Sequence, residues 1–403
     1  MRRPRALVLL SALALISVSC GSVPFLSGGG TTRRVLVDYK HDEFSASFLN
    51  YFPRTVRARP GDTIEFRQQW TGEPHTVTMG TLVDTLGKPY WEFLRDHRAG
   101  ENVDVRNPPE APGFKQLPTM LEVDDFERIV QAAAQPCYRD TWVPDVRDID
   151  EPCPKREQPK FTGRQAYYSS GFIPNEGEEP GVFTVPLSDD ILPGTYNYYC
   201  NYHGPTMSGA IEVVDDGEPV DDQIAINRKA RTEAGVLVRD LAGVLERQRS
   251  GQDIAPLPVV GGYPEDRPLF TAFLNEYVPS TVDAKVGEPV TWSFYGGHTL
   301  SFNVPKFFPV FEVRDDGFVS FNAQAWKAIG WPERPEQTNP PTAVHIDAGE
   351  WDGSGGLRST SWDFGGPYGK TFDTFSLTFT KPGDYPFACL LHPAMVGKVV
   401  VSE

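Results

Sequence analysis

Two short stretches constrain this chain more than anything else in it. Near the C-terminus, Cys389-Leu390-Leu391-His392-Pro393-Ala394-Met395 gathers a thiol, an imidazole and a thioether within seven residues and runs straight into the strand-like Val396-Gly397-Lys398-Val399-Val400-Val401. Much earlier, Cys200-Asn201-Tyr202-His203-Gly204-Pro205-Thr206-Met207 repeats the arrangement and leads into Ser208-Gly209-Ala210-Ile211-Glu212-Val213-Val214. Each stretch has a further histidine far upstream, at a turn before an alternating run. These are His298 in Tyr295-Gly296-Gly297-His298-Thr299-Leu300 and His75 in Glu73-Pro74-His75-Thr76-Val77-Thr78. One such match is open to chance; two in order, each with its distant histidine and closing strand, are not easily dismissed.

The chemistry of these residue types points to copper. Soft cysteine and methionine sulfur favours Cu(I) while imidazole serves both oxidation states, and two His, one Cys and a weak axial Met make the donor set of a blue-copper site. The candidate metal ligands are therefore His298, Cys389, His392 and Met395 in the second copy and His75, Cys200, His203 and Met207 in the first. Two type 1 copper ions are expected, one per copy. The competing reading is a decayed site that has kept only the scaffold.

The rest of the chain organises around those copies. Residues 1–19 have a basic start and an apolar core over 6–18, the form of a signal peptide. It ends at Val18-Ser19-Cys20-Gly21-Ser22, which resembles a bacterial lipobox with Cys20 as the lipidated residue, although Ser17 stands where leucine is usual. Residues 20–33, with Gly28-Gly29-Gly30, read as a flexible tether. The first module is expected over 34–214, a helical linker over 215–265 and the second module over 266–403. Strand-turn-strand patterning precedes His75 at 55–66 and recurs before His298 at 281–292, so the chain contains an internal duplication. Between His75 and Cys200 lie 124 residues, and between His298 and Cys389 lie 90, so both copies carry insertions. Helix-like pieces are expected near 90–98 and 119–134. In the linker, Ile226, Ala230, Ala234, Leu237, Leu241 and Leu245 recur at helical spacing, with Gly251 near the end.

Composition narrows the setting. With 37 Gly and 37 Pro the chain favours a mainly β architecture rich in turns. The net charge of −16 argues against nucleic acid and suits a basic redox partner protein or simply a soluble extracytoplasmic surface. Of the five cysteines, Cys200, Cys389 and Cys20 have roles, and Cys137 and Cys153, each preceded by proline, are left to pair as a disulfide. No stretch after the leader is long and apolar enough for a transmembrane helix, so membrane attachment is expected through the lipid at Cys20 alone. The expected location is the outer face of the bacterial cell membrane as a lipoprotein, with a secreted or soluble periplasmic protein as the alternative. His41, His97 and His345 have no partner at ligand spacing, and Met79 and Met120 read as packing residues.

On these motifs the chain resembles the cupredoxins of the plastocyanin/azurin type. The quoted features are Lys381-Pro382-Gly383-Asp384-Tyr385 leading to Cys389, the Cys-x2-His-x2-Met loop ending at Met395, and the Gly397-containing final strand. The first module departs from that pattern by placing three residues between His203 and Met207. The resemblance implies two Greek-key β-sandwiches and a role as a single-electron carrier rather than an enzyme. In related copper oxidases and nitrite reductases a histidine precedes the copper cysteine; here Tyr199 and Ala388 stand there and no His-x-His pair exists. A copper-storage lipoprotein, or a copper oxidoreductase with its substrate pocket in the insertions, remain as alternatives.

Overall fold

The computed structural model describes residues 30–97, 121–122, 125–129, 131–141, 153, 157–173, 181–252, 258–264, 271–309, 311–313, 318–335, 343–362 and 373–403. The leader, Cys20 and most of the tether lie outside them. The fold is mainly β, with few helices.

Alternation of buried and half-exposed residues in Thr32–Val37 and Thr63–Gln68 gives each strand one apolar face. These two strands pair in parallel within a four-stranded sheet, in the order Val182–Pro186, Thr63–Gln68, Thr32–Val37, Tyr51–Phe52. A six-stranded sheet carries Thr55–Ala58, Gly204–Val213, Gly194–Cys200, Thr78–Met79, Tyr167–Ser169 and Cys137–Arg139 in that order. Val35, Ile64 and Phe66 from the first sheet meet Val56, Tyr198 and Ile211 from the second in one buried cluster.

The same plan recurs downstream. Val259–Gly262 and Pro289–Tyr295 pair in parallel as Thr32–Val37 and Thr63–Gln68 do, in a sheet that also holds Ala272–Val278, Asp373–Phe379 and His345–Trp351. The facing five-stranded sheet runs Thr281–Lys285, Val396–Ser402, Gly383–Ala388, Ser301–Phe302, Arg358–Ser359. Trp292, Phe294, Phe302, Phe375 and Phe387 fill the space between them, each worth about 1.5–3 kcal/mol of burial. Val259–Gly262 falls within the stretch read as linker, so strand structure of the second half begins before residue 266.

The halves are not separate beads. Ala46–Phe48, from the first, forms the edge of the second half's six-stranded sheet by pairing antiparallel with Ala272–Val278. The long helix Gln223–Arg249 starts at Asp222, whose side chain accepts the Ala225 N–H, and buries the stripe read from its spacing. From Ala230 to Leu245 that stripe packs with Phe48 and Phe52 of the first half and Leu274 and Val278 of the second, while Ile226 joins the first half's own core.

The insertions also meet. Helix Thr81–His97 covers the stretch expected near 90–98 up to His97. The helix expected over 119–134 is a correction: Leu121–Glu122 and Asp125–Ile129 pair as strands, and only Gln131–Ala134 is helical. Short apolar runs do not distinguish the two states by periodicity, and strand pairing decides here. Ala133, Ala134 and Phe172 pack against Val319, Phe311 and Phe321 from the second insertion. A disulfide joins Cys137 to Cys153.

Candidate metal centres

In each half, antiparallel strand pairing carries the upstream histidine to the cysteine. Thr78 pairs with Tyr199, which brings His75 beside Cys200, and Ser301 pairs with Ala388, which brings His298 beside Cys389. The backbone N–H of the threonine after each histidine then donates to the thiol sulfur, Thr76 to Cys200 at 3.4 Å and Thr299 to Cys389 at 3.4 Å. The two threonine hydroxyls accept from the residue after the cysteine, Asn201 N–H at 3.0 Å and Leu390 N–H at 2.9 Å. Tyr51 and Tyr277 hold the same two threonines by donating to their carbonyls, at 2.5 and 2.6 Å.

The result is two clusters, His75–Cys200–His203 and His298–Cys389–His392, with the donor atoms of each within 4.8 Å of one another. Cys200 Sγ lies 3.6 Å from His203 Nδ1, and Cys389 Sγ lies 3.4 Å from His392 Nδ1. His298 Nδ1 faces His392 Nδ1 at 3.1 Å, well inside the roughly 4 Å span open to two nitrogens each about 2 Å from one ion. His75 Nδ1 is buried without a hydrogen-bond partner. Met207 and Met395 are fully buried in the same apolar clusters as Cys200 and Cys389. One thiolate and two imidazoles fit copper in either oxidation state, and in the second site Met395 is tied to the same loop by its N–H to the His392 carbonyl at 2.9 Å.

Burial alone would raise both thiols, but the adjacent histidines outweigh it and hold Cys200 and Cys389 well below the usual thiol range. Burial likewise opposes charge on the histidines. Thiolate and carboxylate neighbours override it, pushing His203 up to about 9 and His392 up to about 10.

Two carboxylates that the sequence did not single out complete the sites. Glu73 lies between the clusters, its Oε2 3.3 Å from His203 Nε2 and its Oε1 3.1 Å from His392 Nε2. Burial would raise its pKa, yet the two imidazoles prevail and keep it below the ordinary carboxylate value. Each Nε2–H donating to Glu73 leaves the corresponding Nδ1 for a metal. Asp38 Oδ2 sits 3.2 Å from His75 Nε2 and also accepts the Thr71 hydroxyl, while its Oδ1 takes the Tyr39 and Phe48 N–H groups. Burial pulls His75 down, but Asp38 and Cys200 outweigh it and hold it above the usual histidine value. His298 has no such partner among the described residues: its Nε2 is buried and unpaired, and burial lowers its pKa.

Of the remaining histidines, His345 is exposed with Nδ1 2.8 Å from the Thr374 hydroxyl, and His41 lies against Phe44. Neither belongs to a metal cluster among the described residues. The tyrosines flanking Cys200 split between roles: Tyr198 and Tyr199 are core, while Tyr202, after it, packs against His203 and Phe311.

No protein-family model and no curated protein matches the chain. Solved structures similar to parts of it include a variant of amicyanin in its reduced Cu(I) form at pH 4, at 22% identity, covering 32% of this chain and 73% of that one with a TM-score of 0.16. Another is dithionite-reduced auracyanin from the photosynthetic bacterium Roseiflexus castenholzii, at 15% identity, covering 47% of this chain and 100% of that one with a TM-score of 0.20. At these scores the likeness carries no weight for function, which rests on the residues of the sites themselves.

Proposed function

We propose that this is an exported copper protein with two cupredoxin domains, binding one type 1 copper in each and carrying single electrons. The observation that supports it is the pair of trios, buried except for the half-buried His203, each with one cysteine and two histidines inside 4.8 Å. Copper bound there supplies a one-electron change between Cu(I) and Cu(II). Cys200 and Cys389 serve as the thiolate ligands, His75, His203, His298 and His392 as the imidazole ligands, and Met395 and Met207 as axial ligands. A cage of four protein donors, shut away from water, favours electron transfer over substrate turnover, because it leaves no open coordination position.

The Cys137–Cys153 bond supports a location outside the reducing cytoplasm. We assign membrane attachment to the lipid on Cys20; no helix among the described residues is long and apolar enough to cross a membrane. With a net charge of −16, the protein suits a basic redox partner. Visible spectroscopy tests the reading. The Cu(II) protein shows an intense thiolate-to-copper band that Cys200→Ala with Cys389→Ala abolishes; a colourless, redox-silent copper-loaded wild type overturns it.

A further inference from the structure

The two clusters share one carboxylate and differ in another. Two residues before the upstream histidine stands Glu73 in the first copy and Gly296 in the second, so the duplication supplies a single carboxylate between both sites. Glu73 uses it on both sides, at 3.3 Å from His203 Nε2 and 3.1 Å from His392 Nε2. Gly72 makes that approach possible: with φ of +119° it brings the chain so near His392 that a Cβ there would lie 2.4 Å from the ring. A continuous path of covalent and hydrogen bonds therefore runs from Cys200 through His203, Glu73 and His392 to Cys389.

Asp38 and Gly261 break the symmetry. Both sit at the end of the equivalent parallel strand with left-handed backbone, at φ of 66° and 75°. Asp38 sets a carboxylate oxygen 3.2 Å from His75 Nε2. Gly261 sets nothing against His298, and a Cβ there would fall 2.5 Å from its Nε2. An anion hydrogen-bonded to a ligand imidazole makes the ligand a stronger donor and favours the more positive metal. Glu73 exerts that effect on both sites at nearly equal distance, whereas Asp38 exerts it on the first alone.

We propose that the two sites form a one-way relay in which a single electron passes from the first site, of lower potential, to the second across the His203–Glu73–His392 bridge. The proposal rests on the copper reading above. In the step, the metal of the first site is oxidised from +1 to +2 and that of the second is reduced from +2 to +1, with no bond broken and no proton moved. A one-electron donor protein restores the first site and a one-electron acceptor protein empties the second. Glu73 and Asp38 act as positioning residues through the histidines they hold.

The experiment is a redox titration of the two-copper protein, with Cys200→Ala and Cys389→Ala, each left with one copper, assigning the midpoints. The electron is expected to prefer the second site at least tenfold, a gap of about 59 mV for a one-electron couple. Asp38→Asn raises the first midpoint and leaves the second in place. After flash reduction, Glu73→Gln slows equilibration between the two bands at least tenfold while both bands persist. A first midpoint equal to or above the second, or a wild-type equilibration rate in Glu73→Gln, overturns the relay. Should Asp38→Asn fail to fold, the single-copper midpoints decide the direction. Loss of both visible bands in the wild type instead overturns the copper reading, and is told apart by that absence.

Discussion

The side chain of Gln131 pairs with the backbone of Val319 as a strand would, donating Nε2–H to the carbonyl and accepting the N–H at Oε1, both at 2.9 Å. The two residues belong to different insertions, so the long segments between each histidine and its cysteine clamp one half to the other. Gln131→Leu leaves both Val319 groups buried and unpaired, at a cost of about 1–3 kcal/mol each. Denaturant unfolding should show the loss while the copper bands of the folded protein keep their positions.

Stoichiometry separates the two sites. Wild type is expected to bind two copper ions, and Cys200→Ala or Cys389→Ala one each, by metal analysis after gel filtration. Retention of two ions by either variant contradicts the assignment of its thiolate.

Gly261→Ala tests the fit around the second site alone. The added Cβ would lie 2.2 Å from the Tyr295 carbonyl oxygen and 2.5 Å from His298 Nε2, at a backbone conformation costing about 1–2 kcal/mol for an L side chain. The variant should lose copper from the second site at least tenfold more readily than from the first, read from the fading of one band against the other under a chelator. Equal fading of the two bands refutes the placement of Gly261.

Asp84 gives a pH signature away from the metals. Its Oδ1 accepts both the backbone N–H and the side-chain amide of Asn197, but burial prevails and raises its pKa. A carboxyl with a folded pKa above its unfolded one weakens the fold at neutral pH, and that penalty fades as pH falls through the folded value. Asp84→Asn keeps the Oδ1 acceptor without the charge. It is therefore expected to be at least as stable as wild type at pH 7, with its advantage shrinking by pH 4, as measured by urea unfolding. An advantage that grows on acidification contradicts the burial argument.

The gathering of each cysteine with its two histidines was legible because it needs only a local Cys-x2-His spacing and a histidine that strand pairing returns. The stripe from Ile226 to Leu245 was legible because one helix face states it alone. Glu73 was not, since its meaning depends on His203 and His392, 130 and 319 residues away, and on a fold that presses two halves together. Asp38 and Gly261 look unrelated in sequence; only equivalent strands and a shared left-handed turn reveal them as one position. The pairs His75-Thr76 and His298-Thr299 were a signal present in the sequence, because a threonine follows the histidine in both copies and proves to hold the thiol each time.

Ala46–Phe48 completes a sheet whose other strands lie more than two hundred residues further on. A C-terminal fragment made without it would expose the backbone of Ala272, Phe273 and Leu274 along an open margin, an invitation to self-association. The downstream copy thus borrows its margin from the upstream one, a debt that only the intact chain can meet.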